Sequence, residues 1–455
     1  LRRSGIAALR FGDCPAGRGW AESGCMKISD CRTTPIAFAD PPLRAASGLH
    51  APYALRIVFE MTSEAGVTGI SEVPCNPGTL EGLRAVADRI RGKDAIRTNL
   101  LFREIDEALA EGGAERDARG AAPWDQRVRV HVASAIEVAA LDLVGKTLDV
   151  RVCDLVGGAC RESVPFGAYL FFKEEGAGGE FEFGLDPDAE GWAAARQREA
   201  KTPATLVDQA RGMCEAFGFP SIKVKGGVLD PKVEAESMEA LYEAFGPEVP
   251  LRLDPNAVWS VPTGLRIGRR LETILEYFED PVRGQRAMAE LGRQLRCPLA
   301  TNMCTTSFSD LPASFGLHSE DVILCDHHFW GGIRPCLELA RFCGSFGRGV
   351  SMHSNSHLGV SLAAMAHTGA AIPNLDYDLD THYPWQRDEI IADGRIAFDG
   401  GRVAIPDGPG LGVTLDHDAV ERLHQDYLDC GLTQRNDERE MQKIEPGWKF
   451  QATRW

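Results

Sequence analysis

The chain of 455 residues carries 49 basic and 66 acidic residues, a formal net charge of −17, with 44% hydrophobic and 25% charged residues. That length suits two or three domains with large cores, and the composition is that of an ordinary globular protein. The acidic balance and the lack of any dense Lys/Arg cluster argue against nucleic acid and anionic membranes as partners, and no apolar run reaches the roughly 18 residues of a membrane span.

The 13 cysteines form no C-x-x-C pair. Several, such as Cys325 and Cys343, sit in apolar runs where a reduced thiol packs as a small hydrophobe, so a reducing, cytoplasmic setting is expected. Residues 1–25 show neither helical nor strand period, and they are expected to be a non-native or disordered leader with Met26 as the natural start.

From Tyr53 the segment YALRIVFEM alternates, with Leu55, Ile57 and Phe59 on one side and Arg56 and Glu60 on the other. A turn and VTGISEV follow, which predicts a hairpin with one wet face. Thr79 is the expected N-cap of a helix over TLEGLRAVADRIR. LLFREIDEALAEG and HVASAIEVAALDLVGKTL read as further helices, the second with Ile136, Ala139, Ala140 and Leu143 on one stripe. Residues 26–163 therefore read as an α+β module.

Beyond residue 163 short apolar strands alternate with helical stretches: VPFGAYLFF, SIKVK, LRLDPN, EYFED, LATNM, VILCD, GVSMHS and LDYDLD. Lys225, Asp254, Glu279, Asn302, Asp326 and His353 stand at strand ends roughly 25 residues apart, one strand-plus-helix unit each. This predicts an α/β fold, a modified (β/α)8 barrel over residues 164–403 whose strand ends converge on one mouth. A doubly wound open sheet would not gather six polar ends around a common centre. The stretch KEEGAGGEFEFGLDPDAEGW, within residues 173–203, is expected to be a surface insertion or lid, and residues 404–455 to return to the first module.

Asp254, Glu279 and Asn302 end three successive strands and offer oxygen donors alone, which suits a hard cation, Mg2+ before Ca2+ or Zn2+. Lys223 and Lys225 are two apart and share a strand face that must be the barrel interior, where a lowered pKa would make a lysine a general base. His353 and Asp326 end adjacent strands, so the carboxylate can hold one imidazole nitrogen and fix the tautomer. His353 and His357 are four apart but lack the H-E-x-x-H of a zincin, and GKT at residues 145–147 lacks the first glycine of a phosphate loop. A divalent metal flanked by a lysine and a His–Asp pair suits removal of a proton α to a carboxylate, with an enediolate stabilised by the metal.

The runs KVKGG, LDPN, EYFEDP, ATNM, DHHFWGG, MHSNSHLG, DTHYPW and PGLGV together resemble the glucarate dehydratase family of the enolase superfamily, from about Met26 to the C-terminus. The resemblance implies a capping α+β domain, Mg2+ on Asp254, Glu279 and Asn302, and dehydration of D-glucarate or L-idarate to 5-dehydro-4-deoxy-D-glucarate. It implies that His353 removes the C5 proton of D-glucarate and returns it to the departing 4-hydroxyl. Lys225 then serves the opposite stereochemistry, and Lys223 neutralises carboxylate and enediolate oxygens. His50, Tyr169, Asn256, Ser354, Asn355, His382 and Arg435 are the implied substrate contacts. Pro123–Arg127 departs from the family pattern where a substrate-binding Thr is expected, and so does the KEEGAGGEF insertion. A dehydratase or epimerase for another aldarate or aldonate, or a non-catalytic paralogue, is the alternative. The expected partners are a small acid sugar and further copies of the chain.

Overall fold

The computed structural model describes residues 26–111, 127–179 and 184–455. The expected leader, residues 123–126 and part of the predicted insertion lie outside them. The first module is a three-stranded antiparallel sheet in which β1 (Ile28–Ala39) pairs with β2 (Tyr53–Ser63) and β2 with β3 (Thr68–Pro74). Three helices follow: α1 (Pro77–Ile90), α2 (Thr98–Glu111) and α3 (Val128–Leu148). The N-cap of α1 is Asn76, which accepts from Thr79 N at 2.9 Å with Pro77 opening the helix. Thr79 is therefore the third helical residue and not the cap, because Asn-Pro supplies an equally good start three residues earlier.

The hairpin's polar face is not wet. Arg56 is 1% exposed and Glu72 2%, because the barrel covers that side of the sheet. For the same reason α3 is buried from Val130 to Gly145, wider than a single stripe: it packs on β3 and on the barrel's helical turn His327–Trp330. Glu137 on α3 accepts from Ile333 N and Arg334 N at 2.9 and 3.1 Å, capping a barrel helix from the neighbouring module.

The second module is a nearly closed barrel of eight parallel strands: β4 (Ser163–Phe171), β5 (Ile222–Lys225), β6 (Leu251–Asp254), β7 (Leu275–Glu279), β8 (Leu299–Thr301), β9 (Val322–Cys325), β10 (Gly349–Met352) and β11 (Leu379–Asp380). The ladder runs β10-β9-β8-β7-β6-β5-β4-β11. At the remaining seam Ser351 Oγ donates to Asp378 O at 2.9 Å. Helices α4 (Pro203–Phe217), α5 (Pro231–Phe245), α6 (Val261–Leu271), α7 (Gln285–Gly292), α8 (Leu311–Leu317), α9 (Ile333–Ser345) and α10 (Gly359–Ala371) follow β4 to β10 in turn. Ile222, Val224, Leu251 and Leu253 face this helical layer and are fully buried. The alternate residues Lys223, Lys225, Arg252 and Asp254 thereby point inward, as period 2 demands.

The eighth unit is the modified one. After β11 the chain makes a 3-10 turn (Tyr383–Trp385) in place of a helix and returns as β12 (Arg402–Ala404), antiparallel on β4. The tail then lays α11 (His417–Asp429) on β1 and α12 (Asp437–Ile444) on Gly48–Leu49 of the first module. Within the predicted insertion Lys173 is buried and donates to Gly176 O, Gln197 O and Arg198 O at 3.4, 3.2 and 2.9 Å, while Trp192 Nε1 donates to Pro384 O at 2.7 Å. Gly178, at φ +83°, lies against the Asp40 backbone so closely that a Cβ would meet Asp40 O at 2.1 Å. Only glycine fits there. Among the described residues no helix is long and apolar enough to cross a membrane, and the cysteines, Cys325 and Cys343 included, are free.

Candidate active site

The strand ends gather a charged cluster. Asp254, Glu279 and Asp280 bring carboxylate oxygens within 4.8 Å of one another. Lys225 Nζ lies 2.6 Å from Asp254 Oδ2, and Lys223 Nζ lies 2.5 Å from Glu279 Oε2, 2.6 Å from Asp380 Oδ2 and 3.8 Å from Asp254 Oδ2. Four carboxylates thus face two ammonium groups, so the fully ionised cluster is two positive charges short. Glu279 Oε1 is buried with no hydrogen-bond partner. A divalent cation would supply both the missing charge and the missing partner, and an all-oxygen donor set suits a hard one.

The pKa directions follow this charge count. Burial pushes Glu279 well above the ordinary carboxyl value, and Asp254 adds to the push. Burial acts the same way on Asp254, but Lys225 and Lys223 outweigh it and hold that carboxyl low. Lys223 departs from the sequence expectation of a lowered lysine: burial works downward, yet Asp380 and Glu279 raise it well above its usual value. It is a permanent cation here, with the Tyr169 ring 4.8 Å from its Nζ.

Asn302 sits beside the cluster through Asp280. That aspartate adopts φ +37°, and its Oδ2 accepts from Asn302 N at 2.8 Å and from Met303 N at 3.1 Å. Asn256 and Ala257 are also left-handed, at φ +54° and +59°, held by Asn256 N donating to Asp254 Oδ1 at 3.0 Å and Ala257 N to Asp280 O at 2.7 Å. Two successive strained residues without glycine beside a charged cluster mark a functional turn.

Opposite stands His353. Its Nδ1 lies 3.3 Å from Asp326 Oδ2, and the Phe329 ring stacks on it at 4.9 Å. Burial lowers its pKa to about 4 despite Asp326, and Lys225 and Lys223 press the same way. Asp326, buried but surrounded by His328, His353 and His327, is held well below the carboxylate range. His353 is therefore neutral at pH 7, with its proton on Nδ1 and a free lone pair on Nε2.

His353 and Lys225 line one cavity together with all seven residues expected to contact substrate. His50 Nδ1 lies 2.9 Å from Asp40 Oδ2 and its Nε2 2.9 Å from Arg435 Nη2, while Arg435 is held in turn by Asp437. Ser354 Oγ accepts from His382 N at 3.0 Å, Asn355 Oδ1 accepts from Arg56 Nη1 at 2.8 Å, and Tyr169 Oη is buried without a partner. Lys223, Asp254, Glu279, Asn302 and Asp326 do not line this cavity; Lys225, which pairs with Asp254, links the two. His357 is engaged with Leu358 O and Thr381 Oγ1, and residues 145–147 lie inside α3, in keeping with the rejection of a zincin and a phosphate loop.

Sequence reasoning missed Asp280, Asp380, Asp40, Arg56, Glu72, His328 and Asp437. The signal for Asp380 was present in LDYDLD, one of the two strands to which no polar end was assigned.

A sheet-and-helix cap closed over a barrel, with acids, lysines and an Asp–His pair at strand ends, defines a capped-barrel protein with a candidate acid–base and metal centre. Residues 38–157 match the mandelate racemase / muconate lactonizing enzyme N-terminal domain, and residues 205–419 match the enolase C-terminal domain-like family. The chain belongs to the enolase superfamily, in which lyases and isomerases both occur. It is 42% identical over 431 residues to a probable glucarate dehydratase of Streptomyces coelicolor, covering 93% of this chain and 97% of that one. It superposes with a TM-score of 0.85 on an enolase of Mycobacterium smegmatis complexed with tartrate, at 45% identity over 94% of this chain and 98% of that one. An enolase of Thermobispora bispora complexed with magnesium and formate gives 0.87 at 42% identity, over 94% and 100%.

Proposed function

We propose that the protein is a Mg2+-dependent acid-sugar dehydratase, a hydro-lyase acting on D-glucarate or L-idarate to give 5-dehydro-4-deoxy-D-glucarate. The observation that carries the reading is a neutral His353, held by Asp326, sharing a cavity with Lys225 beside a cluster short of two positive charges. In the strand order β10 and β5 stand nearly across the barrel, so the two nitrogens address opposite faces of a bound acid.

Asp254, Glu279 and Asn302 would hold the cation, which when bound supplies positive charge to a substrate carboxylate as negative charge builds on it. His353 Nε2 takes the proton from C5 of D-glucarate. The protonated imidazole then gives it to the 4-hydroxyl, which leaves as water, so the net change is loss of one water and formation of a 2-keto acid after tautomerisation. Lys225 performs the abstraction on L-idarate, and Lys223, paired with Asp380 and Glu279, is a fixed positive charge. His50 and Arg435 would engage the distal end of the sugar acid. The free thiols suit a cytoplasmic enzyme, which we take to act as a homo-oligomer.

Tartrate in the Mycobacterium smegmatis relative favours a second reading, a dehydratase or epimerase for a shorter or different aldarate. The deciding assay is Mg2+-dependent 2-keto acid formation, read with semicarbazide across aldarates and aldonates. Turnover of D-glucarate abolished by EDTA is the expected result. Turnover of another acid alone supports the second reading. Silence with every acid, and no deuterium uptake in D2O, would favour a non-catalytic paralogue.

A further inference from the structure

We propose that Arg56, a cap residue with no place in the chemistry above, is the positioning residue that makes the His353–Asp326 pair competent and aims the Asn355 amide at the substrate. The inference rests on the acid–base reading of His353. Arg56 lies on β2, fully buried, and its guanidinium spans the seam between cap and barrel. Nε donates to Glu72 Oε1 at 3.0 Å, Nη1 to Asn355 Oδ1 at 2.8 Å, and Nη2 to Ser361 Oγ at 3.0 Å and to His328 Nε2 at 2.8 Å.

Proton inventory makes this a relay. A guanidinium only donates and a carboxylate only accepts, so Arg56 Nη2 at 2.8 Å from His328 Nε2 and Asp326 Oδ1 at 3.0 Å from its Nδ1 together favour the tautomer with the proton on Nδ1 and Nε2 accepting. The Glu72 carbonyl, 3.0 Å from that same Nε2, takes Ser361 Oγ instead at 3.2 Å. Asp326 Oδ1 is thereby held by both His328 Nδ1 and His328 N, the latter at 2.7 Å, which leaves Oδ2 for His353 Nδ1. His353 must then keep its proton on Nδ1 and present Nε2 as the base. Asn355 is fixed by the same logic: its oxygen faces Arg56, so its Nδ2, buried without a partner, turns its donors to the cavity. Glu72 anchors the arrangement by accepting also from Leu358 N and Ser361 N at 2.9 and 3.1 Å at the start of α10. Docking of the cap therefore sets the tautomer of a histidine on the far side of the seam. The other charged or titratable groups facing His353 are Lys225 and Lys223 from β5 and His382 after β11.

The test is Arg56→Lys, which keeps the charge beside Glu72 but cannot reach His328 and Asn355 together. Histidine-selective 15N NMR of the whole chain should show His328 and His353 losing their single Nδ1–H tautomer while the melting curve stays cooperative. Proton exchange on the His353 face should fall about 100-fold in kcat, with less than about a fivefold fall on the Lys225 face. Equal loss on both faces, or an unchanged His353 tautomer, overturns the proposal. Should Arg56→Lys not fold, His328→Asn, whose amide nitrogen overlays Nδ1 and still donates to Asp326, is compared with His328→Phe, which cannot. Retention of the His353 tautomer in the first variant alone supports the relay, and the same outcome in both overturns it. If the unmodified protein turns over no sugar acid, the proposed function fails, yet the NMR tautomers still decide the role of Arg56.

Discussion

The barrel side and the cap side of the cavity are built by different rules. On the barrel side the ion-paired groups of the cluster all come from strands: Lys223 and Lys225 from β5, Asp254 from β6, Glu279 from β7 and Asp380 from β11. Their positions follow from the two-residue period and the closure of the sheet. On the cap side the groups come from distant segments and are held in chains: Asp40 to His50 to Arg435 to Asp437, and Glu72 to Arg56, which crosses the seam to His328 and Asp326 of the barrel. The barrel side concentrates charge in one place, which suits a metal and the stabilisation of developing charge. The cap side spreads hydrogen bonds, which suits orientation. The first should control kcat and stability, the second chiefly recognition and the alignment of the base.

The largest effect expected from that division is at His353. His353→Asn should lower D-glucarate turnover by about 10²–10⁴-fold while leaving Lys225-driven exchange on L-idarate in place. Equal loss on both epimers, followed by proton NMR in D2O, would break the assignment of opposite faces. Next comes the ion cluster. Lys223→Met strands Asp380 and Glu279 in the interior and should cost about 3–5 kcal/mol in urea unfolding. A cost near zero would mean that the two acids share a proton and need no lysine.

The two sides also differed in how far the sequence disclosed them. Strand ends were readable because Lys223 and Lys225 sit two apart, with Ile222 and Val224 between and before them, and because one unit of spacing separates each end from the next. Asp380 escaped because LDYDLD offers three alternating acids, Asp376, Asp378 and Asp380, and only Leu379 and Asp380 form β11, so alternation alone did not say which acid ends the strand. Asp280 escaped because it adjoins Glu279 and should point outward; only its left-handed φ turns it back toward Asn302. Arg56 and Glu60 were placed correctly on one face of their strand and wrongly in water. Period 2 says which residues share a face but not what covers it, and over Arg56 the cover is a barrel more than two hundred residues further along the chain. The pairing of His50 with Arg435 had no local pattern to betray it, since the tail reaches the cap only through the tertiary fold.

Acid should test the seam between the two sides. His328, His353 and His357 meet there, and burial, their chief cause, lowers each to about 4, as it does His367. The unfolded chain binds protons near pH 6.5 that the fold refuses, so this stability is whole above 6.5 and is lost as pH falls toward 4. Glu137 and Glu234 oppose the trend: burial raises both to about 7, so they favour the fold below the ordinary carboxyl range and lose that contribution as pH rises through 7. His327 and His382 join the imidazoles, while Asp142, Glu279, Glu389 and Asp426 join the raised carboxyls, so the histidine share is read as the difference from His357→Gln, whose unfolding midpoint should fall less between pH 6.5 and 4. Equal changes in the two proteins would show that His357 is charged in the fold. Mg2+ sharpens the contrast from the other side. At 100 times its Kd it should raise stability by about 2.7 kcal/mol, reversed by EDTA, and Asp254→Asn should weaken its calorimetric binding.

The smallest effect isolates the cap. His50 touches no part of the charged cluster; its two nitrogens are occupied by Asp40 and Arg435, so its contribution is to hold the guanidinium where a distal carboxylate or hydroxyl would meet it. His50→Gln keeps a donor and an acceptor but shortens the reach of the ring, and it should raise KM about tenfold, the worth of one charge-assisted hydrogen bond, with kcat nearly unchanged. Since Arg435 also pairs with Asp437, the guanidinium remains in the cavity in the variant, and a substrate lacking the distal carboxylate should feel the change less. A matching fall in kcat would mean that the distal chain reaches the base after all. Ser356 Oγ, 3.3 Å from the same Asp40 oxygen that holds His50 and only three residues beyond His353, marks the route by which it would do so.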